Sequence, residues 1–375
     1  MIRVGDFPLV DSSRLGFDAE RLGCALDLLE SWTRSGEVPA IAVQVGQGER
    51  TVSRFFGRLR LDDPRRLPEN SLFLVASLVK PIVAAGALIL VERGRLGLDD
   101  RVCEHVPEFE AEGKQDVLIR HLLTHTSGLP DQLPESERLR EENQPLSVFV
   151  ERTCASPLLF APGTRSRYQS MGSLMLGEIV RRLTGMPVRD WLAQEIFEPL
   201  GMTDTSLGGG LETLPRIAQI ELAPEQEAAT TWNWNRPYWL TLGAPWGGLI
   251  SNPHDLGRFC RAILNAGALD GVRILSPATV RAMTSNQLAA FPDMDESEAR
   301  LRSWGFGWRL HRPGDSAFFG DLLGPRSFGH HGATGCVYWL DPDLDAFCVL
   351  LTTLPAGDDG RYLARASNAI AAALG

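Results

Sequence analysis

Patterns typical of β-strands lie near both ends of this 375-residue chain, and the stretch between them has mainly helical spacing of its apolar residues. Residues 40–47 and 50–59 have the composition of two strands joined by a short turn that contains glycine. Later strand patterns cover 327–335, 336–340 and 345–353. Predicted helices cover 17–32, 77–93, 117–124, 146–153, 173–183, 188–197, 253–266 and 361–374. Strands at both ends with helices between them imply one sheet completed by both chain ends, with a helical domain inserted.

The length fits this organisation. At 375 residues the chain exceeds the usual single-core size of about 100 to 200 residues, which predicts two interlocked subdomains or two domains. We predict a sheet domain from residues 1–75 and 265–375 and a mainly helical inserted domain from 76–264. The chain has no internal repeat, low-complexity tract or Gly/Ser linker, so a flexible tether between the domains is not expected.

Charge and composition narrow the function classes. The net charge of -10 and the lack of a Lys/Arg cluster argue against a nucleic-acid partner. Apolar stretches stay below the roughly eighteen residues of a membrane span, and the longest, 81–91, is predicted to be a buried core helix. Nothing in the sequence indicates an oligomeric state.

Two features favour a cytoplasmic protein. The N-terminal residues 1–17 contain Asp6, Pro8 and Asp11 where a secretory signal would need an uninterrupted apolar stretch. The six cysteines are far apart and have no metal-ligand spacing, which is typical of reduced thiols.

The strongest chemical signal is the S-x-x-K spacing of Ser77 and Lys80 at the start of the predicted helix 77–93. Residues three apart share one helical face. Unpaired N–H groups and the helix dipole at this end favour an oxyanion, and a lysine desolvated by an apolar helix can act as a base. Of 37 basic residues only Lys80 and Lys114 are lysine, which hints that Lys80 needs the titratable amine that arginine lacks. By itself, the spacing also fits a surface serine that caps a helix.

Two further segments fit this chemistry. Tyr168 precedes the apolar run 171–179, and a phenol near an ammonium can relay a proton, although a tyrosine at a helix start more often only packs. The glycine-rich stretch 329–335 has a strand pattern in which glycines often mark close approach by another backbone. An edge strand there could offer the N–H of Ala333 as an oxyanion donor beside that of Ser77.

Other arrangements fit less well. His330 and His331 are adjacent, so on a strand they point to opposite faces, and no ligand at suitable spacing joins them; we predict no metal and no cofactor. The chain has no G-x-S-x-G elbow of an α/β-hydrolase. His125 ends a predicted helix and is expected to cap it rather than to catalyse.

Aromatic residues are dense between the helical blocks. Trp234 and Tyr238 lie in the segment 232–239, and Trp246 follows within a glycine-rich stretch. Such residues are either buried packing elements or the wall of an apolar substrate pocket, and we take Trp234, Tyr238 and Trp246 as candidates for the second role.

The order of these elements resembles the serine β-lactamase and penicillin-binding-protein superfamily, and within it the class C-like branch that includes family VIII carboxylesterases. The family's succession of S-x-x-K, Y-x-N and K/H-x-G corresponds to residues 77–80, 168–170 and 330–332. Further similar blocks are 122–129, 162–164, 199–202, 247–251 and 304–308. The resemblance implies an α+β fold of the β-lactamase/transpeptidase type, with an antiparallel sheet flanked by helices and an active site at the interface with the helical domain.

The resemblance also implies roles for individual residues. Ser77 would be the nucleophile, Lys80 and Tyr168 its base system, and the N–H groups of Ser77 and Ala333 the oxyanion hole. Ser170, His330, His331 and Gly332 would contact the substrate.

Two departures affect the expected substrate. Ser170 replaces an asparagine that holds the substrate amide, and His330 and His331 replace a lysine and a threonine associated with a substrate carboxylate. A small-molecule ester needs neither contact, so a carboxylesterase on short-chain esters is the first expectation. The alternatives are a β-lactamase, a D-amino-acid peptidase or amidase, an acyltransferase, and a non-catalytic scaffold or sensor.

Overall fold

The computed structural model describes residues 16–301, 303–312, 318–357 and 360–375. The stretch 1–15, on which most of the prediction about an export signal rests, lies outside the described residues. Within the described part of the chain, no helix has both the length and the apolar character needed to cross a membrane.

The strands form one large and two small sheets. In chain order they are β1 (Ala40–Gln47), β2 (Arg50–Gly57), β3 (Phe73–Leu74), β4 (Ser206–Leu207), β5 (Leu249–Ser251), β6 (Ala268–Leu269), β7 (Val272–Arg273), β8 (Arg309–Leu310), β9 (Phe328–Gly332), β10 (Cys336–Asp341) and β11 (Ala346–Thr352). The large sheet has the order β2-β1-β11-β10-β9-β8, and every neighbouring pair is antiparallel. The predicted sheet built from both chain ends is therefore confirmed.

The register explains why the central strands are apolar throughout. β1 pairs with β11 so that Val43 faces Leu350, and alternate residues of these strands enter two different hydrophobic clusters. Ile41 and Val43 belong to one cluster, whereas Ala40 and Ala42 belong to the other. Because both faces of the sheet are covered, the usual alternation of polar and apolar residues is lost.

The helices fill the central part of the sequence and flank the large sheet. They are α1 (Ala19–Ser35), α2 (Val79–Glu92), α3 (Val102–His105), α4 (Ile119–Leu123), α5 (Ser136–Glu141), α6 (Leu146–Ala155), α7 (Met171–Thr184), α8 (Val188–Leu192), α9 (Pro224–Glu227), α10 (Pro237–Leu242), α11 (Pro253–Leu264), α12 (Pro277–Met283), α13 (Glu296–Leu301) and α14 (Arg361–Ala371). Helices α1 and α14 pack together on the cluster that contains Ile41, and α11 packs on β1 and β11.

Helix α2 is the central helix of the fold. It is buried from Val79 to Leu90, so the apolar run 81–91 is a core helix, as predicted. A 3-10 turn, Ala76–Leu78, precedes it. The predicted single helix 77–93 is therefore two elements, with Ser77 in the middle of the 3-10 turn and the change to α-helix between Leu78 and Val79.

The small sheet β3-β5-β4 was not predicted, since the sequence shows strand patterns only near the chain ends. Its strands have two or three residues, which is too short for an alternation of apolar and polar positions to be visible. The division of the chain into 1–75 with 265–375 and 76–264 stays a prediction, and α11, which packs on the large sheet, lies just before the later boundary.

Two glycines allow a sharp test of packing at the β9–β10 turn. Gly335 and Gly271 both have positive φ, of 87° and 81°. A Cβ atom at Gly335 would overlap the Leu354 carbonyl oxygen, whereas none of the described heavy atoms lies within 4 Å of a Cβ at Gly271. We expect Gly335→Ala to lower the free energy of unfolding by at least about 2 kcal/mol more than Gly271→Ala, measured by urea denaturation. Equal losses would show that backbone strain alone decides both positions.

Candidate active site

A cavity of about 460 Å³ lies where the 3-10 turn, the loop before α7, the β9–β10 turn and the aromatic segment meet. This volume is within the usual range for a small-molecule site. The predicted site residues that line it are Ser77, Tyr168, Ser170, Trp234, Trp246, His331 and Ala333. Residues far apart in the sequence therefore converge on one cleft.

Ser77 lies on a turn with an unusual backbone. The preceding residue, Ala76, has a φ of 48°, a conformation that costs free energy in a residue with a Cβ atom. Two hydrogen bonds hold the turn at its ends. The Tyr338 hydroxyl donates to the Leu78 carbonyl oxygen at 2.8 Å, and Val75 N–H donates to the Leu249 carbonyl oxygen at 3.0 Å. The Ser77 side chain is partly exposed and faces the cavity.

Lys80 is buried beside the serine. Its Nζ lies 2.9 Å from Ser77 Oγ and 2.9 Å from the Trp246 carbonyl oxygen, and the residue is 2% exposed. Burial lowers the pKa of Lys80 to about 7, although the negative charge of Asp131 acts in the opposite direction. Near neutral pH a substantial fraction of this amine is therefore uncharged and able to accept a proton.

Tyr168 completes the group around Ser77. Its ring centroid lies 4.7 Å from Lys80 Nζ, and the nearby Ser77 side chain acts to lower the pKa of its hydroxyl. Burial raises the pKa of Tyr168 well above its usual range. The phenol therefore keeps its proton at neutral pH, while the lysine titrates there.

A cluster of aromatic rings packs around Tyr168. The His125 ring lies 4.8 Å from that of Tyr168 and 4.3 Å from that of Trp304, and the His330 ring lies 5.9 Å from Tyr168. His125 Nδ1 accepts a hydrogen bond from Gln169 N–H at 3.3 Å, and burial lowers the pKa of His125 to about 3. His125 follows α4, but its Nδ1 bonds Gln169 and its Nε2 has no partner among the described residues, so it does not cap that helix as expected. Its contact with Tyr168 was missed from the sequence.

The Ser170 side chain is hydrogen-bonded to a second residue of the cavity. Its hydroxyl donates to Asp131 Oδ1 at 2.6 Å, and Asp131 also lines the cavity. Asp131 was missed because it follows Leu129 and Pro130 in a turn, where an aspartate is ordinary. No spacing relates it to Ser170, so only the fold brings the two together.

The β9–β10 region divides its residues between cavity and core. The His331 ring stacks on Phe318 with centroids 3.6 Å apart and lines the cavity, whereas His330 is 1% exposed and lies among the rings behind Tyr168. Gly332 packs against the turn before Ser77, because a Cβ there would overlap the Val75 carbonyl oxygen. In the described ranges, no group of three or more His, Cys, Asp or Glu side chains could hold a metal ion.

The aromatic segment supplies one wall of the cavity, but with a different member than expected. Trp234 and Trp246 line it together with Trp239. Tyr238 is not among the lining residues, and its hydroxyl donates to the Gln144 carbonyl oxygen at 2.7 Å. Because residues 237–242 form the helix α10, neighbouring side chains point in directions about 100° apart.

The presence of only two lysines permits a direct test of the buried amine. In a protein labelled with ¹³C at lysine, we expect the Lys80 Cε signal to titrate near pH 7 by NMR, because burial disfavours the ammonium form. The K114R variant assigns the signal, since one lysine then remains. A Lys80 signal that titrates at the ordinary lysine pKa of about 10.4 would contradict this burial.

Comparison with known proteins identifies the family. A sequence model described as Beta-lactamase matches residues 26–372. An uncharacterized protein of Mycobacterium tuberculosis is 31% identical over 319 residues, covering 76% of this chain and 78% of that protein. A penicillin-binding protein homologue from Caulobacter crescentus superposes with a TM-score of 0.78 at 24% identity, covering 95% of this chain and 98% of that one. A family VIII carboxylesterase gives a TM-score of 0.75 at 21% identity, with 93% and 97% covered. The resemblance inferred from the motifs and the α+β fold class are thus confirmed, and the chain belongs to the β-lactamase family of the serine hydrolase superfamily, which includes esterases as well as β-lactamases.

Proposed function

We propose that the protein is a carboxylesterase that acts on small or short-chain esters through an acyl-enzyme on Ser77. The observation that carries this proposal is the 2.9 Å contact between Ser77 Oγ and a buried Lys80 amine whose pKa is lowered to about 7. A neutral amine at hydrogen-bonding distance from a hydroxyl is the arrangement that a serine nucleophile needs when no histidine serves as its base.

In the first half of the cycle, Ser77 Oγ attacks the ester carbonyl and Lys80 accepts the serine proton. The tetrahedral intermediate then collapses, the bond between the carbonyl carbon and the alkoxy oxygen breaks, and the alcohol leaves with a proton. Tyr168 is suited to pass that proton on, because its hydroxyl stays protonated and its ring lies 4.7 Å from Lys80 Nζ. In the second half, water adds to the acyl-enzyme with Lys80 again as base, and the free acid is released.

The oxyanion hole would be formed by the N–H groups of Ser77 and Ala333. Both residues line the cavity, and the close packing of Gly332 against Val75 brings the β9–β10 turn next to the turn that carries Ser77. Two N–H donors from different segments, each fixed by surrounding structure, stabilise a developing negative charge without reorganisation.

Two features of the cavity support an ester over a lactam or peptide. The Ser170 hydroxyl donates to Asp131, so this position does not present the free amide group of an asparagine. Burial lowers the pKa of His331 to about 3, so this ring carries no positive charge at neutral pH. At this wall the site therefore lacks a cation for a substrate carboxylate.

The test is a panel of three substrates: p-nitrophenyl acetate, nitrocefin and a D-alanyl peptide. We expect the ester to give the highest kcat/KM, and Ser77→Ala to lower ester turnover by at least about 1000-fold, because the nucleophile is lost. Mass spectrometry after a fluorophosphonate should place the adduct on Ser77.

The exposed Ser31, on α1, provides a matched control, and Ser31→Ala should leave turnover unchanged. Rapid nitrocefin hydrolysis without ester turnover would favour a β-lactamase. Acyl transfer to an added alcohol in preference to water would favour an acyltransferase, and undiminished activity of Ser77→Ala would rule out the mechanism. If Ser77 reacts with none of these compounds, the result would favour a non-catalytic scaffold or sensor.

The pH dependence tests the role of Lys80 separately. The value of kcat/KM should rise with pH around pH 7, as Lys80 loses its proton. Because the Asp131 carboxylate raises the pKa of Lys80, Asp131→Asn should lower that pKa and shift the rise to lower pH. An unchanged profile would show that Asp131 does not act on this amine, and a shift to higher pH would contradict the sign of the expected effect.

A further inference from the structure

Arg140 is the most shielded basic side chain among the described ion pairs and also the most weakly paired. It lies on α5 and lines the same cavity as Ser77. Its side chain is 12% exposed, and its nearest carboxylate oxygen in an ion pair, on Glu137, is 4.0 Å away. Arg261, with a similar exposure of 13%, pairs with Asp345 at 2.5 Å. A guanidinium removed from water normally has a close carboxylate, so Arg140 is an exception.

The hydrogen bonds of Arg140 are also incomplete. One terminal nitrogen donates to Gln132 Oε1, but the buried Nε has no partner among the described residues. The Glu137 carboxylate, which is 67% exposed, accepts instead from Trp232 Nε1 at 2.7 Å. An arginine stays protonated at neutral pH, so a charged side chain with incomplete hydrogen bonding lines the cavity.

Aromatic rings fix this guanidinium in position. Its Cζ lies 4.8 Å from the ring centroid of Trp232 and 5.1 Å from that of Trp239. Trp239 in turn lies 6.0 Å from Trp246, whose carbonyl oxygen contacts Lys80 Nζ. The cation is therefore held on the aromatic wall, two rings away from the reactive group, where a substrate positioned at Ser77 could reach it.

We propose that Arg140 binds a carboxylate carried by the ester substrate, so that the preferred substrates are esters of small acids or alcohols that bear a second, anionic group. This inference rests on the proposed esterase function and specifies its substrate class. A carboxylate in the cavity supplies the negative charge that Glu137, 4.0 Å away, only partly provides, and its planar geometry matches that of a guanidinium.

Matched pairs of esters test this proposal. Monophenyl adipate and phenyl hexanoate share a six-carbon acyl chain and differ in the terminal carboxylate, whereas 4-acetoxybenzoate and its methyl ester differ in a carboxylate on the leaving group. We expect wild-type enzyme to prefer the anionic member of at least one pair. Arg140→Gln should lower kcat/KM for that anionic ester about 10- to 100-fold, while its neutral partner changes by less than about threefold. Arg140→Lys keeps the charge but loses the planar, two-pronged guanidinium. Its loss of kcat/KM for the anionic ester should therefore be smaller than that of Arg140→Gln and larger than the change for the neutral ester.

Arg138 provides the control on the same helix. It is 55% exposed and paired with Glu142 at 2.9 Å. Arg138→Gln should therefore leave the ratio of kcat/KM for the anionic ester to that for the neutral ester unchanged in both pairs. Turnover of the neutral esters shows whether each variant is folded. Equal losses for anionic and neutral esters in Arg140→Gln, or an anion preference that survives this substitution, would overturn the proposal. If neutral esters are turned over through Ser77 and wild type shows no anion preference, this inference fails while the esterase function stands; ester turnover that persists in Ser77→Ala would instead remove the function itself.

Discussion

The Lys80 amine lies at the start of a helix buried along most of its length, and two hydrogen bonds hold it there, to Ser77 Oγ and to the Trp246 carbonyl oxygen. The rest of the site depends on this placement. An exposed lysine would stay charged at neutral pH and could only donate to the serine, whereas the buried amine titrates near pH 7. The apolar composition of α2 thus serves both as the core of the fold and as the cause of the shifted pKa.

Contacts from several elements surround the turn that carries Ser77. The Tyr338 hydroxyl from β10 and the backbone of β5 fix the residues on either side of Ser77, and Gly332 lets β9 approach them closely. On the other side, His125 and Trp304 pack around Tyr168. Contacts of this kind can hold the unfavourable φ of Ala76, since strain in one residue persists only where its surroundings determine the conformation. The large sheet and the helical region therefore both contribute to the position of one hydroxyl.

The charges in the cavity are distributed in a way that the motifs did not indicate. His331, at the position that the resemblance associates with a substrate carboxylate, carries no charge at neutral pH, and the Ser170 hydroxyl donates to Asp131. Among the described residues that line the cavity, the positive charge comes instead from Arg140, which lies against the ring of Trp239. In the proposed assignment, a substrate carboxylate contacts α5 instead of β9, while the reaction at Ser77 is unchanged.

The sequence alone determined the sheet from both chain ends, the buried helix after Ser77 and the three motif segments, because these depend on local periodicity and on the spacing of a few residues. The tertiary structure alone decided four features of the site. It placed Trp239 instead of Tyr238 on the cavity wall, brought Asp131 to Ser170, gathered the rings around Tyr168 and set the exposure of Arg140. Each of these depends on the direction of a side chain or on a contact between residues distant in the chain. Neither is encoded in a local pattern, because such contacts form only when the sheet and the helices pack together.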